Sequence, residues 1–264
     1  MISNWLAWTP RDPSPYENFQ LIDINERASI SSEVKSHLTE LLVEARFDLP
    51  FLQVVTKRLG WKTVQKHLIS TSQPTVPILR RGFFGEVLTS GILVEFFSYI
   101  IPVQKFQFAI SANQSLPGTD LIAIKKNERS LSEVCFVESK LRTTADTGAA
   151  IQGYKQLKKD YSERIPQMVL FILARLFETK DPLFENFLNY LRDRRDMARV
   201  ERFRLGLAWE RDAWTETVLK NLEEEVDDPE LPRLVVQCAR VRELPSLIKE
   251  LFQMIGVVEE PTDD

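Results

Sequence analysis

Two short apolar stretches, each bordered by charge, constrain this chain more than any other feature. The first, Leu121-Ile122-Ala123-Ile124, follows Pro117-Gly118-Thr119-Asp120, and the second, Glu133-Val134-Cys135-Phe136-Val137, runs into Glu138-Ser139-Lys140. Both are rich in β-branched and aromatic residues and are short enough to be strands. The polar segment from Lys125 to Ser130 reads as the hairpin loop between them. Side chains two apart share one face of a strand, so Glu138 and Lys140 point the same way, and pairing of the strands brings Asp120 to that face. Two carboxylates held together repel each other unless a cation lies between them. The expected cation is Mg²⁺, or alternatively Mn²⁺, both hard ions that prefer oxygen ligands.

Glu86 joins this set. It sits in Arg80-Arg81-Gly82-Phe83-Phe84-Gly85-Glu86-Val87-Leu88, where an unpaired carboxylate among apolar neighbours is costly. Glycine in a helix interior costs roughly 1 kcal/mol, so Gly82 and Gly85 imply close approach of something else. Taken singly, each residue has an ordinary reading. Glu86 would be a helix carboxylate facing water, Asp120 a turn cap, and Glu138 with Lys140 an exposed ion pair worth about 0–1 kcal/mol. Their conjunction at the ends of apolar strands favours a site.

The chemistry that fits is phosphodiester hydrolysis. Asp120 and Glu138 are expected to hold Mg²⁺, helped by the Ser139 carbonyl and by Glu86 directly or through water. The metal would polarise the phosphoryl oxygen and acidify a bound water. Lys140 would orient that water or meet the charge gathering in the transition state. Contacts to a phosphate backbone are expected from Arg142, Thr143 and Thr144, from Gln152, Lys155 and Lys159 on the next helix, and from Lys125, Lys126 and Arg129 on the loop. The basic run Arg192-Asp193-Arg194-Arg195, with Arg199, Arg202 and Arg204, is interleaved with acids. It reads as helix surface or a protein docking face ahead of a DNA track.

With 264 residues and 44% hydrophobic content, the chain can bury a substantial core. A net charge of −4 does not exclude nucleic acid, because binding depends on a local patch. Cys135 and Cys238 form no CxxC pair, which argues against a disulfide framework or thiolate zinc site and points to a reducing, cytoplasmic compartment. The N-terminus is not read as a signal peptide. The most apolar segment, Gly91 to Val103, is broken by Glu95 and is too short to cross a bilayer, so no membrane contact is expected.

Along the chain, residues 1 to about 30 read as extended, with a strand at Phe19–Ile24. A helix starts at Ser31-Ser32-Glu33, and another covers Phe51 to Ile69. The proline-bearing break from Ser70 to Pro77 separates an N-terminal module, 1–75, from the part carrying the site, 76–264. Next come a helix over about 78–98, a strand at Phe106–Ile110, the two motif strands, a helix over about 146–163 and a strand at Met168–Leu173. A largely helical remainder holds one more strand, Arg233–Cys238. The expected fold is α/β, a mixed sheet flanked by helices and closed by a parallel crossover.

The pattern Glu86 … Thr119-Asp120 … Glu138-Ser139-Lys140 resembles the PD-(D/E)xK nuclease superfamily over about 78–175. Asp120 matches its motif aspartate, Glu138 and Lys140 its E-x-K, and Glu86 the acid of its first core helix. Thr119 stands where the motif has proline. Gln152-Gly153-Tyr154 departs from the glutamine and tyrosine four apart of exonuclease-like members, though Gln152 is retained as a contact to the site. The fuller set Phe83-Phe84-Gly85-Glu86, Leu116-Pro117-Gly118-Thr119-Asp120-Leu121-Ile122 and Val137-Glu138-Ser139-Lys140-Leu141 looks like the DUF1837 family across most of the chain. That family includes the nuclease subunit of the Hachiman anti-phage defence system.

The resemblance implies a restriction-endonuclease-like sheet with a small N-terminal module and helical C-terminal additions. It implies Mg²⁺-dependent cleavage of DNA, with Glu86, Asp120, Glu138, Lys140 and Gln152 as catalytic residues and Glu86, Asp120, Glu138 and Ser139 around the metal. It also implies a superfamily 2 DNA helicase as partner. Residues 1–75 and the region after about 180 carry no convergent polar site but do carry Trp5, Trp8, Phe184, Phe187, Trp209 and Trp214, so they are expected to hold the partner, although each ring singly reads as ordinary core. Two alternatives stand beside this: a non-catalytic adaptor that keeps the nuclease fold, and a ribonuclease or restriction-type endonuclease. With only His37 and His67, no zinc finger is available to read sequence.

Overall fold

In the computed structural model of the chain, the described residues are 1–59, 62–109, 111–114, 118–127, 130–163, 165–192, 199–226 and 231–255. Strand β1 (Leu6–Pro10) turns back antiparallel on β2 (Gln20–Glu26). Ser31 then caps α1 (Ser32–Arg46), its hydroxyl accepting the Val34 N–H at 3.3 Å, and Val34, Leu38, Leu42 and Ala45 bury one face. The single helix expected over Phe51–Ile69 is two, α2 (Leu49–Leu59) and α3 (Lys62–Thr71), with residues 60 and 61 outside the described set. Pro77 opens α4 (Pro77–Phe97), where its missing N–H costs nothing. Ser98 closes that helix in the left-handed region, at φ 55°, and the Tyr99 N–H returns to the Leu93 carbonyl at 3.1 Å.

The strand expected at Phe106–Ile110 is instead a 3₁₀ turn, Lys105–Phe108, and Ile110 lies outside the described residues. Its backbone oxygens find side-chain donors rather than a strand. Arg46 of α1 donates to the Phe106 carbonyl at 3.4 Å and to the Ser111 carbonyl at 2.7 Å. The two rings that alternation put on one face diverge, Phe106 meeting Phe83 and Phe108 meeting Phe171.

The hairpin follows as β3 (Leu121–Lys126) and β4 (Leu131–Arg142), antiparallel, with Leu121 opposite Val137. Glu128 and Arg129 of its loop, and Leu116 and Pro117 before Asp120, lie outside the described residues. Helix α5 (Ala149–Glu163) comes next, then α6 (Ile165–Glu178), which contains the Met168–Leu173 segment expected as a strand. Val169, Ile172, Leu173 and Leu176 are buried at helical spacing, whereas Leu170 is 62% exposed. A six-residue apolar run cannot by itself separate the two forms.

After α7 (Leu183–Arg192) the crossover closes on β5 (Glu201–Glu210), which pairs parallel with β4. Arg202 and Arg204 therefore belong to an interior strand, not to the helical surface expected of that basic run; Arg194 and Arg195 lie outside the described residues. Helix α8 (Thr217–Glu225), β6 (Leu234–Val241) and α9 (Leu244–Met254) complete the order.

One mixed sheet results, ordered β1-β2-β6-β5-β4-β3. Helices α5 to α8 cover one face through Phe136, Phe203, Leu205 and Val236, and α1, α4 and α9 cover the other through Ile22, Ile24, Ala208 and Ala239. β2 pairs parallel with β6, Asp23 opposite Cys238, so residues 1–75 supply two strands to the sheet that carries Glu138. The boundary near residue 75 does not divide that sheet. Trp5, Phe187 and Trp209 are fully buried in the core. Among the described residues no helix is long and apolar enough to cross a membrane. Cys135 and Cys238 are buried free thiols.

Candidate active site

The β3–β4 register sets Asp120 beside Glu138 at the strand ends. Asp120 is fixed by two donors. The backbone N–H of Ser139 reaches Oδ2 at 2.9 Å, and the ammonium of Lys105 reaches Oδ1 at 3.0 Å. The same ammonium lies 3.3 Å from Glu86 Oε2. Lys140 donates to Glu138 Oε1, and the Glu138 side chain is only 3% exposed. The structure thus gathers Glu86, Asp120, Glu138 and Lys140, and adds Lys105.

Lys105 went unnoticed in the sequence, although a signal was there. It is the one charge in Ile100-Ile101-Pro102-Val103-Gln104-Lys105-Phe106, and a lysine buried in such a run must be paired. Its side chain is 6% exposed.

Close packing of α4 on β4 brings Glu86 to the strand. A Cβ added at Gly85 would lie 3.0 Å from the Leu141 Cβ, so the glycine permits an approach a larger residue would oppose. Gly82 has no such role, since a Cβ there meets nothing within 4 Å. The Ser139 hydroxyl points to the same side and is 3.1 Å from that of Thr89. On the other face, a Cβ at Gly153 of α5 would fall 2.6 Å from Leu205 Cδ1 and 3.2 Å from Lys140 Cγ, so the helix confines the lysine stem.

Burial pushes the Glu86 carboxyl well above its usual range, and the Asp120 charge adds to the effect against the pull of Lys105. Glu138 is pushed up to about 8, by burial first and Asp120 second, with Lys140 opposing. Burial draws the Lys105 ammonium down, but Asp120 and Glu86 outweigh it and hold its pKa above the ordinary lysine value. The cluster is short of positive charge, and protons are retained where cations do not suffice.

Glu86, Asp120, Glu138 and Lys140 line a cleft of about 700 Å³, together with Arg81 and Arg142. Arg81 donates to the Thr143 hydroxyl at 2.9 Å, and Arg142 pairs with Asp146 at 2.6 Å. Gln152 is turned to Arg142, accepting at 3.3 Å, and Gln156, one turn further along α5, lines the cleft in its place. Lys155 pairs with Glu225 at 2.9 Å and Lys125 with Glu133 at 3.4 Å, so neither reaches the cleft.

Two oxygens bear on whether the set suits a metal ion. Among the described residues Glu138 Oε2 is buried without a hydrogen-bond partner, and Glu86 Oε2, also buried, faces the Lys105 ammonium at 3.3 Å. Three carboxylates with two such oxygens form an all-oxygen donor set of the kind hard divalent cations take. Among the described residues no three acidic, histidine or cysteine side chains already close on one point. The fit is therefore one of donor chemistry, with Lys105 standing between two of the acids.

The sequence model of the HamA family matches residues 7–255, nearly the whole chain. No curated protein matches it.

Proposed function

This chain belongs to the HamA family, and so is a subunit of the Hachiman anti-phage defence system; from that premise we propose that it is a nuclease, a metal-dependent hydrolase of DNA phosphodiester bonds. The observation that carries this reading is the gathering of Glu86, Asp120, Glu138 and Lys140 on the wall of one open cleft, with the Lys105 ammonium beside Glu86 and Asp120. Three acids here face two cations, and Glu138 Oε2 is buried without a hydrogen-bond partner among the described residues.

Glu86, Asp120 and Glu138 would hold Mg²⁺ or Mn²⁺, which when bound would neutralise phosphoryl charge and acidify a water. The chain's own groups do the rest. The Ser139 N–H and Lys105 keep Asp120 aimed into the cleft. Lys140, its stem pressed against Gly153, presents its ammonium beside Glu138 to the attacking water or to the phosphoryl oxygen where charge develops. Arg81 and Arg142 meet the flanking phosphates. Two arginines are few for tight DNA binding, which fits a chain that works with a DNA helicase as its partner.

The test is digestion of plasmid and oligonucleotide DNA by the purified chain with its partner helicase. Cleavage should vanish in EDTA, return with Mg²⁺ or Mn²⁺, and be lost in a Glu138→Ala/Lys140→Ala variant that still co-purifies with the helicase. Undiminished cleavage by that variant would refute the assignment.

A further inference from the structure

A second cleft of about 520 Å³ opens at the other end of the sheet, where β5 and β6 begin and β3 ends. Five residues along β4 separate Glu133 on its wall from Glu138, roughly 17 Å at strand rise. It is therefore distinct from the candidate active site. Its wall carries Lys125, Arg202, Arg204 and Arg233 against Glu17 and Glu133. Glu133 is already engaged by Lys125 and by the Tyr99 hydroxyl, which leaves the three guanidiniums to account for.

Among the described residues those guanidiniums donate to neutral oxygens, and Arg204 also lies against the Cys135 thiol. Arg202 and Arg233 converge on one backbone carbonyl, that of Arg199, at 2.9 and 2.6 Å. Two like charges on one acceptor repel unless an anion joins them. Arg233 holds this position at φ 62°, a backbone conformation that costs a side-chain-bearing residue free energy. Arg204 lies two residues along β5 from Arg202 and so on the same face. It is 6% exposed, its guanidinium carbon sits 4.4 Å over the Phe97 ring, and one of its terminal nitrogens donates to Gln237 Oε1 at 3.1 Å. Its Nε is buried without a hydrogen-bond partner among the described residues. Two guanidiniums that share one carbonyl, with a third buried beneath them, make a preorganised seat for an oxyanion.

We propose that this cleft binds a phosphate-bearing ligand, with Arg202 and Arg233 gripping the phosphate and Arg204 fixing the floor beneath it. Guanidinium forks match phosphate oxygens two at a time, which favours phosphate over a lone carboxylate. The cleft lies within the range of about 300–1,000 Å³ usual for small-ligand sites. The phosphate comes either from a free nucleotide or pyrophosphate, or from a nucleic-acid backbone. The proposal stands independently of the nuclease reading, because no residue of the first cleft takes part.

The experiment is titration calorimetry on the full chain at low salt in EDTA, with sodium pyrophosphate, adenosine monophosphate and a short oligothymidylate as probes. An Arg202→Ala/Arg233→Ala variant should lose at least tenfold in affinity for the probe that binds. A Lys220→Ala/Lys249→Ala variant, which removes equal charge elsewhere, should match wild type. Binding of pyrophosphate or the mononucleotide assigns the site to free phosphates, and binding of the oligonucleotide alone assigns it to a nucleic-acid backbone. If the double variant does not fold, Arg233→Gln at the exposed rim carries the comparison. The proposal is overturned if no probe binds wild type, if the control variant loses as much as the test variant, or if a hexaglutamate peptide binds more tightly than any phosphate probe.

Discussion

Replacing Lys105 with methionine keeps the aliphatic stem and removes one charge from between two acids. The ammonium is 3.0 Å from Asp120 and 3.3 Å from Glu86, with its side chain 6% exposed. Deleting one partner of a buried ion pair typically costs ~3–5 kcal/mol, because the other charge is left uncompensated. Glu86, already held well above its usual range, can take up a proton and relieve part of this, which argues for the lower end. At about 3 kcal/mol, and ~2–4 °C per kcal/mol for chains of this size class, the melting temperature should fall by ~6–12 °C. Circular dichroism melts in EDTA at neutral pH measure it directly. Near pH 5 the deficit should shrink, since protonation removes the repulsion between the acids. Excess MgCl₂ should then stabilise the variant more than wild type, because an ion entering it displaces no ammonium. A variant that melts within about 2 °C of wild type at neutral pH, or equal stabilisation of both proteins by Mg²⁺, would refute the view that Lys105 stands at a cation's position.

Other consequences are as direct. The Glu138 carboxyl, ordinarily near 4.5 and here about 8, binds its proton more tightly folded than unfolded, so its contribution to stability is full below pH 4.5 and declines as pH rises towards 8. Glu138→Gln should flatten that decline in urea midpoints followed across the window, and an unchanged profile would contradict the assignment. Lys140→Ala should keep the fold and metal affinity while lowering the cleavage rate ~10²–10³-fold, the usual loss for one transition-state donor. Near-normal single-turnover rates in that variant would place the chemistry on the acids alone.

What could be read from the sequence was local. Asp120, Glu138 and Lys140 sit on one hairpin, and Glu86 betrayed itself as a carboxylate among phenylalanines. Lys105 was harder, because its partners lie on α4 and at the start of β3, and only the fold unites them. β5 was missed for a related reason. A parallel strand buried on both faces shows no alternation, and its arginines mimicked a solvated helix. The apolar run in α6 went the other way, since Val169, Ile172 and Leu173 suit a strand by composition and a helix by spacing. Gln152 has the right residue type beside the site, but its amide is taken by Arg142.

The pairing of β2 with β6 has a bearing on the life of the chain during synthesis. Asp23 emerges from the ribosome long before Cys238, yet they stand opposite each other in the middle of the sheet. Until β6 arrives, β1 and β2 form an isolated hairpin, and Ile22 and Ile24 lack the helix α9 that shares their core. Two-stranded hairpins are marginal in water, and long-range parallel pairing is slow. The sheet therefore cannot close until residues 234–241 are available, and a chain cut short before residue 234 is left with two disconnected half-sheets.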